Sequence, residues 1–293
     1  MPHLANVVIG VDFSESSLAA LRWTAHQFAP RARLVLVHAV DVPQPPAFLR
    51  GMVPPVKPVA DSALEGARSR LTTRARELGE ERVTFEARTG RSYEVLADAA
   101  GKAAADVVVV GEHGPRPGLW DVLGGTAENL LRTTRTPVLL VRAASARPVV
   151  DVLAAVDDSP LTDAVLRLAL TVAEEHDARL TAFNVLSLSL RGHLRITSSE
   201  AKVETVERAF LDAARDWLRK AVERVGASER TGNFEVAIGD PPFEVVAAAK
   251  RFEADLIVMG GRGAGALERT LLGSVARAVL RGAPCPVLVV SEP

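Results

Sequence analysis

Four residues near the end of the chain have the types and spacing of a phosphate-binding loop. Gly260 and Gly263 are followed, after nine further residues, by Gly273 and Ser274. Glycines let the backbone take a positive φ and approach a phosphate closely, while free N–H groups and the dipole at a helix start attract its charge. The hydroxyl of Ser274 adds another donor. The motif therefore predicts a phosphate-bearing ligand between a strand and the helix that follows it.

The same spacing occurs in the first half of the chain, with one change. Gly111 and Gly114 are followed after nine residues by Gly124, but Gly125 stands where the serine is expected, and Thr126 comes next. We therefore expect the hydroxyl donor of this first site to be shifted or lost. Glycines after a strand can also serve only to make a tight turn, and this alternative stays open at both motifs.

The two motifs belong to a repeat that spans the chain of 293 residues. Residues 106–111 (DVVVVG) reappear as residues 255–260 (DLIVMG). A repeat of this length carries a complete set of secondary-structure elements, so it predicts two copies of one domain rather than a solenoid. We place the domains at 1–145 and 148–293.

Short apolar runs alternate with longer amphipathic stretches in each copy. In the first copy we expect strands at 5–12, 32–41, 82–88, 105–111 and 137–142, and helices at 15–28, 60–79, 92–103 and 125–133. Strands that are apolar throughout indicate burial on both faces, and strand–helix alternation indicates a parallel sheet. The predicted fold class is α/β, with two tandem doubly wound, Rossmann-like domains, each a five-stranded parallel sheet flanked by helices.

An aspartate closes the first predicted strand of each copy, Asp12 in one and Asp157 in the other. In doubly wound sheets ligands bind outside the carboxyl ends of the strands, where the strand order reverses. These carboxylates are therefore candidate ligand contacts. They could equally do no more than cap the helices that follow.

Both halves resemble the universal stress protein family, in its ATP-binding branch. The shared pattern is an aspartate after the first strand, the glycine spacing described above, and a last strand that begins Pro-Val; the second copy carries it in full. The resemblance covers essentially the whole chain as a tandem pair and implies an adenine nucleotide alpha hydrolase-like fold. It also implies that Asp157 holds the ribose or adenine and that the Val185 backbone meets the adenine edge.

The remaining site residues also come from this resemblance. In the second copy, Met259, Gly260 and Gly263 would line the ribose and phosphate path, and Gly273, Ser274 and Val275 would bind phosphates. The matching residues of the first copy are Asp12, Ala39, Val110, Gly111, Gly114, Gly124, Gly125 and Thr126.

Composition excludes several other functions. The chain has 35 basic and 36 acidic residues, so its net charge of −1 gives no attraction to nucleic acid or to an anionic membrane. Cys285 is the single cysteine, which excludes an intramolecular disulfide and a thiolate metal cage. No apolar run reaches the roughly 18 residues of a membrane span. We expect a cytoplasmic protein.

The predicted function is nucleotide-dependent regulation of a stress response without catalysis. The ligand is expected to be ATP, with ADP and AMP as options and Mg²⁺ carried by the nucleotide, and an unidentified regulatory protein would read the bound state. Two alternatives stay open, a slow ATP hydrolase on the same scaffold and a nucleotide-free interaction scaffold. The last apolar strands of the two copies are expected to pair within the chain, and a homodimer is a further option.

Overall fold

The protein consists of two compact units, described in a computed structural model. The described residues between 4 and 142 form one unit, and those between 147 and 291 form the other. The ranges described are 3–42, 57–79, 81–112, 124–142, 147–187, 200–227, 229–263 and 272–291.

Parallel strands form the sheet of the first unit. They are β1 (Asn6–Gly10), β2 (Arg33–Val40), β3 (Val83–Thr89), β4 (Val107–Gly111) and β5 (Val138–Val141), in the order β3-β2-β1-β4-β5. Val8 at the centre of β1 and Val108 beside it on β4 have no exposed surface. Both faces of these central strands are covered, which explains why neither strand alternates apolar with polar residues.

The helices of the first unit cover both faces of this sheet. They are α1 (Glu15–Trp23), α2 (Lys57–Leu78), α3 (Ser92–Lys102) and α4 (Gly125–Thr133). Helix α1 begins at a serine cap, because the Ser14 side chain accepts a hydrogen bond from the Ser17 amide.

The predicted helix 15–28 has the expected bounds, and its last turn is wider than an α-helix. The chain is α-helical to Trp23 and then forms a π-helix over Thr24–Phe28. The Trp23 and Phe28 rings stack with centroids 5.4 Å apart. Arg82 donates hydrogen bonds to the Ala25 and Pro30 carbonyls at 3.0 and 2.9 Å, which satisfies acceptors that the widened turn exposes.

The second unit repeats the arrangement. Its strands are β6 (Asp151–Ala155), β7 (Arg179–Ser187), β8 (Thr231–Gly239), β9 (Leu256–Gly260) and β10 (Val287–Val290), all parallel in the order β8-β7-β6-β9-β10. Its helices are α5 (Thr162–His176), α6 (Glu200–Arg224), α7 (Pro241–Arg251) and α8 (Ser274–Gly282). These two sheets confirm the predicted α/β, doubly wound fold class.

An ion pair joins α5 to α6 in the second unit. The Arg224 guanidinium donates to both carboxylate oxygens of Asp163, with Nε at 3.1 Å from each. This hydrogen bonding lowers the pKa of the Asp163 carboxyl below its ordinary value.

None of the helices within the described ranges is long and apolar enough to cross a membrane.

The strand order reverses once in each sheet, and this fixes where a site can form. In the first unit the chain proceeds from β1 to β2 and β3 at one edge, then returns to β4 on the other side of β1. In the second unit the same reversal lies between β6 and β9. Because the connections leave these two neighbouring strands in opposite directions, a crevice opens at their carboxyl ends.

In each unit, a half-buried aspartate joins the starts of the two central strands by hydrogen bonds. Asp106 Oδ2 accepts hydrogen bonds from the Ala5 and Asn6 amides at 2.7 and 2.9 Å. Asp255 Oδ2 makes the same pair of bonds to the Val150 and Asp151 amides, both at 3.0 Å. Each carboxylate therefore aligns β1 with β4, or β6 with β9, before their ladder begins.

We expect Asp106→Ala to lower the free energy of unfolding by about 2 kcal/mol, because it removes two charge-assisted hydrogen bonds and leaves their two amide donors without that acceptor. Urea unfolding of the full chain measures the change, and Asp61→Ala on the exposed face of α2 is the control. Equal stabilities for the two variants would show that the carboxylate does not fasten the strands.

Candidate functional site

A cavity of about 400 Å³ opens at the carboxyl ends of β6 and β9 in the second unit. All eight residues predicted for the second copy line it: Asp157, Val185, Met259, Gly260, Gly263, Gly273, Ser274 and Val275. The residues come from the loop after β6, from β7 and β9, and from the start of α8. The topology therefore brings the whole predicted set to one crevice.

Close backbone packing explains the glycines at the narrow end of the cavity. A Cβ atom at Gly263 would lie 2.7 Å from Asp157 Oδ2, and one at Gly273 would lie 3.1 Å from the Gly261 carbonyl oxygen. The Gly273 amide donates to that same carbonyl at 2.8 Å, which holds the start of α8 against the end of β9.

The expectation that these glycines adopt a positive φ is wrong. Positive φ is confined, among the described glycines, to Gly79, Gly90 and Gly226, none of which belongs to a motif. At each motif glycine that the structure describes, leaving aside Gly125 at the serine position, a Cβ atom would lie 2.7 to 3.2 Å from its nearest neighbour. These positions are therefore glycine because a side chain has little room there, and the lack of a Cβ atom at Gly263 lets Asp157 lie against the loop.

The first turn of α8 supplies donors at the mouth of the cavity. Its N-cap is Gly273, which provides no capping side chain, and its first turn contains no acidic residue. Amide N–H groups at a helix start lack partners within the helix and carry the positive end of its dipole. Ser274 adds an exposed hydroxyl at the first position. This end of the cavity can bind an anion.

The opposite wall of the cavity is apolar. Phe183 and Val185 project from alternate positions of β7, Met259 ends β9, and Pro241 and Val245 lie one turn apart at the start of α7. Such a wall suits the face of a flat apolar group, and Asp157 adds a carboxylate to the lining of the same cavity.

Sequence reasoning missed Phe183, Pro241 and Val245 as wall residues. Each was readable in principle: Phe183 precedes Val185 by two on a strand, so both point to one face, and Pro241 opens the helix that follows β8. Arg262, which lies between the motif residues Gly260 and Gly263, also lines the cavity.

The first unit places its matching residues at equivalent positions. Asp12 follows β1, Ala39 lies on β2, Val110 and Gly111 end β4, and Gly124, Gly125 and Thr126 begin α4. A Cβ atom at Gly124 would lie 3.2 Å from the Glu112 carbonyl oxygen, which reproduces the approach of Gly273 to Gly261. Gly114 lies outside the described residues.

Asp12 also has a local structural role. Its Oδ1 accepts hydrogen bonds from the Ser14 amide at 2.9 Å and the Ser14 hydroxyl at 2.5 Å. Ser14 is in turn the N-cap of α1. Asp12 therefore supports the cap rather than forming it.

Equivalent polar residues hold the aspartate loops from the neighbouring strands. In the first unit His38 Nδ1 donates to the Val11 carbonyl at 2.6 Å, and in the second Asn184 Nδ2 donates to the Val156 carbonyl at 2.9 Å. A carbonyl can only accept, so His38 carries a proton on Nδ1. Different side chains thus fix the residue before each aspartate.

The residue after Asp12 is held by two further contacts. Phe13 has a φ of 64°, which is uncommon for a bulky residue. Its ring lies 4.8 Å from the His38 ring, and the Arg70 guanidinium of α2 lies 3.7 Å from its centroid. These contacts stabilise a strained backbone next to the carboxylate.

The sequence model of the universal stress protein family matches residues 4–142 and again residues 151–291. The two matches together cover nearly all of the chain. The chain belongs to the universal stress protein family. Each unit therefore corresponds to one copy of the family domain.

Known universal stress proteins match this chain in both single and tandem forms. A universal stress protein of Mycobacterium tuberculosis is 27% identical over 98% of this chain and 96% of its own length. One from Methanocaldococcus jannaschii is 36% identical, over 47% of this chain and 79% of its own. The crystal structure of a universal stress protein from Archaeoglobus fulgidus has a TM-score of 0.71 at 19% identity and covers 98% of both chains. The family and the fold are thus established together.

Proposed function

We propose that this universal stress protein binds an adenine nucleotide, with ATP as the leading candidate, in the cavity of the second unit. The observation that carries the proposal is the joining of three features in one cavity: an apolar wall, the Asp157 carboxylate and the uncapped start of α8. A base, a ribose and a phosphate chain present features that match these three. The volume of about 400 Å³ falls within the range of small-molecule sites.

The close approach of Asp157 to Gly263 supports the ribose assignment. The Asp157 carboxylate lies directly against the phosphate loop, because a Cβ atom at Gly263 would be only 2.7 Å from its Oδ2. A carboxylate accepts hydrogen bonds from vicinal hydroxyls, and it repels phosphates. The sugar is the part of a nucleotide that fits this position.

A regulatory role is favoured over catalysis. Phosphoryl-transfer sites use carboxylates that bind Mg²⁺ and a residue that orients the nucleophile. Among the described residues that line the cavity, Asp157 is the one carboxylate, and no histidine accompanies it. Mg²⁺ would arrive with the nucleotide, and the bound nucleotide would be a signal read by a protein partner.

Binding is tested by the stability of the purified full chain with and without nucleotide. A ligand at 100 times its dissociation constant stabilises the native state by about 2.7 kcal/mol, so ATP should raise the melting temperature in a concentration-dependent manner. Mass spectrometry of the small molecule released from the protein identifies the nucleotide. No stabilisation at millimolar ATP would refute the proposal, and steady release of ADP would favour the hydrolase alternative.

A further inference from the structure

The first unit carries its hydroxyl groups at different places from the second. Gly125 occupies the position of Ser274, so the exposed hydroxyl at the first residue of the helix is missing. Thr126 occupies the position of Val275. The hydroxyl has thus moved from the first to the second residue of the helix.

A second hydroxyl joins the displaced one. Ser92 opens α3 at the position that Pro241 holds in α7, and Ser92 Oγ lies 2.7 Å from Thr126 Oγ1. In the second unit the matching Pro241 and Val275 both line the cavity. The first unit therefore has a hydroxyl pair where the second unit has an apolar wall.

The hydroxyl pair can still donate to a ligand. Two hydroxyl groups carry two hydrogens, and the bond between them uses one. Ser92 and Thr126 are half-buried, whereas Gly125 and Ser274 are exposed. The donor of the first unit is accordingly less exposed than the donor of the second unit.

The charged residue in the first turn of the helix also differs between the two units. Glu128 lies in the first turn of α4, and Arg277 holds the matching position of α8. Their amides bond to the N-cap carbonyls of Gly124 and Gly273 at 3.0 Å in both cases, so the backbone positions are equivalent. Arg277 is not among the described residues that line the second cavity, so these charges act on a phosphate chain from a distance, where a carboxylate disfavours each added phosphate and a guanidinium favours it.

We propose that the first unit selects a nucleoside monophosphate and the second a nucleoside triphosphate. In the first unit the Ser92–Thr126 pair holds the phosphate nearest the nucleoside, while the missing hydroxyl at Gly125 and the charge of Glu128 penalise the outer phosphates. The inference rests on the proposed function, because it assumes that a nucleoside seats against the strand ends of both units.

Calorimetry on the full chain tests the inference, with one site silenced at a time. Ser274→Glu silences the second site and Gly125→Glu the first, and each variant is titrated with AMP and with ATP. With the second site silenced, AMP should bind about tenfold more tightly than ATP; with the first silenced, ATP should bind more tightly than AMP. Equal preferences in the two variants would overturn the inference.

Removing one hydroxyl of the Ser92–Thr126 pair tests directly whether the pair binds the phosphate. In the Ser274→Glu background, Thr126→Val should weaken AMP binding by about five- to tenfold, the worth of one hydrogen bond, and should weaken the residual ATP binding as well, because both ligands carry the phosphate nearest the nucleoside. Valine already occupies this position in the second unit, so the fold accommodates it. The reciprocal variant, Val275→Thr in the Gly125→Glu background, adds one hydroxyl at the matching position and should raise the AMP affinity of the second unit by at most the worth of one hydrogen bond, since Pro241 supplies no second hydroxyl to position it.

The outcomes distinguish this inference from the proposed function. AMP affinity unchanged by Thr126→Val, with ATP still bound by the second unit, would overturn the inference and leave the proposed function intact. Failure of both units to bind any adenine nucleotide would overturn both.

Discussion

Replacing Ser274 by glutamate should weaken ATP binding in the second unit by about a hundredfold and leave the fold intact. The new carboxylate stands at the first residue of α8, at the mouth of the cavity. Like charges 4 Å apart repel by about 1 kcal/mol in water and about 4 kcal/mol at the dielectric typical of a protein surface. A hundredfold loss needs about 2.7 kcal/mol, which lies within this range.

This substitution should not lower the stability of the folded state. The first turn of α8 contains no acidic residue, and a negative charge there interacts favourably with the helix dipole. The melting temperature without nucleotide should therefore equal or exceed that of the unmodified chain. Isothermal titration calorimetry with ATP measures the affinity.

Gly125→Glu is the matched control, since it adds the same charge to the same helix position of the first unit, where a Cβ atom meets nothing within 4 Å. It should leave the second site unchanged. ATP bound with undiminished affinity by the Ser274→Glu variant would show that phosphates do not lie at the start of α8.

The fold could be predicted from the sequence because its strands are buried on both faces. Runs such as residues 107–110 are apolar at every position, and this pattern occurs in few structures other than a covered parallel sheet. Helix ends were less predictable, since α2 begins at Lys57, three residues before the expected start. The π-helix over Thr24–Phe28 depends on contacts with Arg82, which is distant in sequence.

Some residues of the site could likewise be predicted from the sequence, and others could not. Its glycines and Asp157 are visible in sequence because each departs from the apolar pattern where a strand ends, whereas Phe183 and Val245 look like any other core residue. The conformation of the glycines could not be read from their type, because absence of a Cβ serves close packing as well as positive φ. Nucleotide binding, the pairing of the last strands and a homodimer stay predictions.

Gly111 shows why one motif position can have different roles in the two copies. A Cβ atom at Gly111 would lie 2.7 Å from Ser16 Oγ and 2.9 Å from the Ser16 carbonyl carbon and the Ser17 amide nitrogen. At the matching Gly260 the nearest atoms are the Arg262 carbonyl oxygen at 3.1 Å and a methyl group of Leu161 at 3.2 Å. The backbone of α1 thus lies against Gly111 in the first unit, whereas the Leu161 side chain lies against Gly260 in the second.

We therefore expect Gly111→Ala to lower the free energy of unfolding by about 3 kcal/mol, since backbone atoms of α1 must move to admit the methyl group. Gly260→Ala should cost about 1 kcal/mol, because a leucine side chain can shift. Gly101→Ala, at an open position of α3, should instead stabilise the chain by about 0.8 kcal/mol through helix propensity. Urea unfolding ranks the three variants. If Gly111→Ala kept full stability and lost only nucleotide binding in the first unit, this glycine would serve the ligand rather than the packing of α1 on β4.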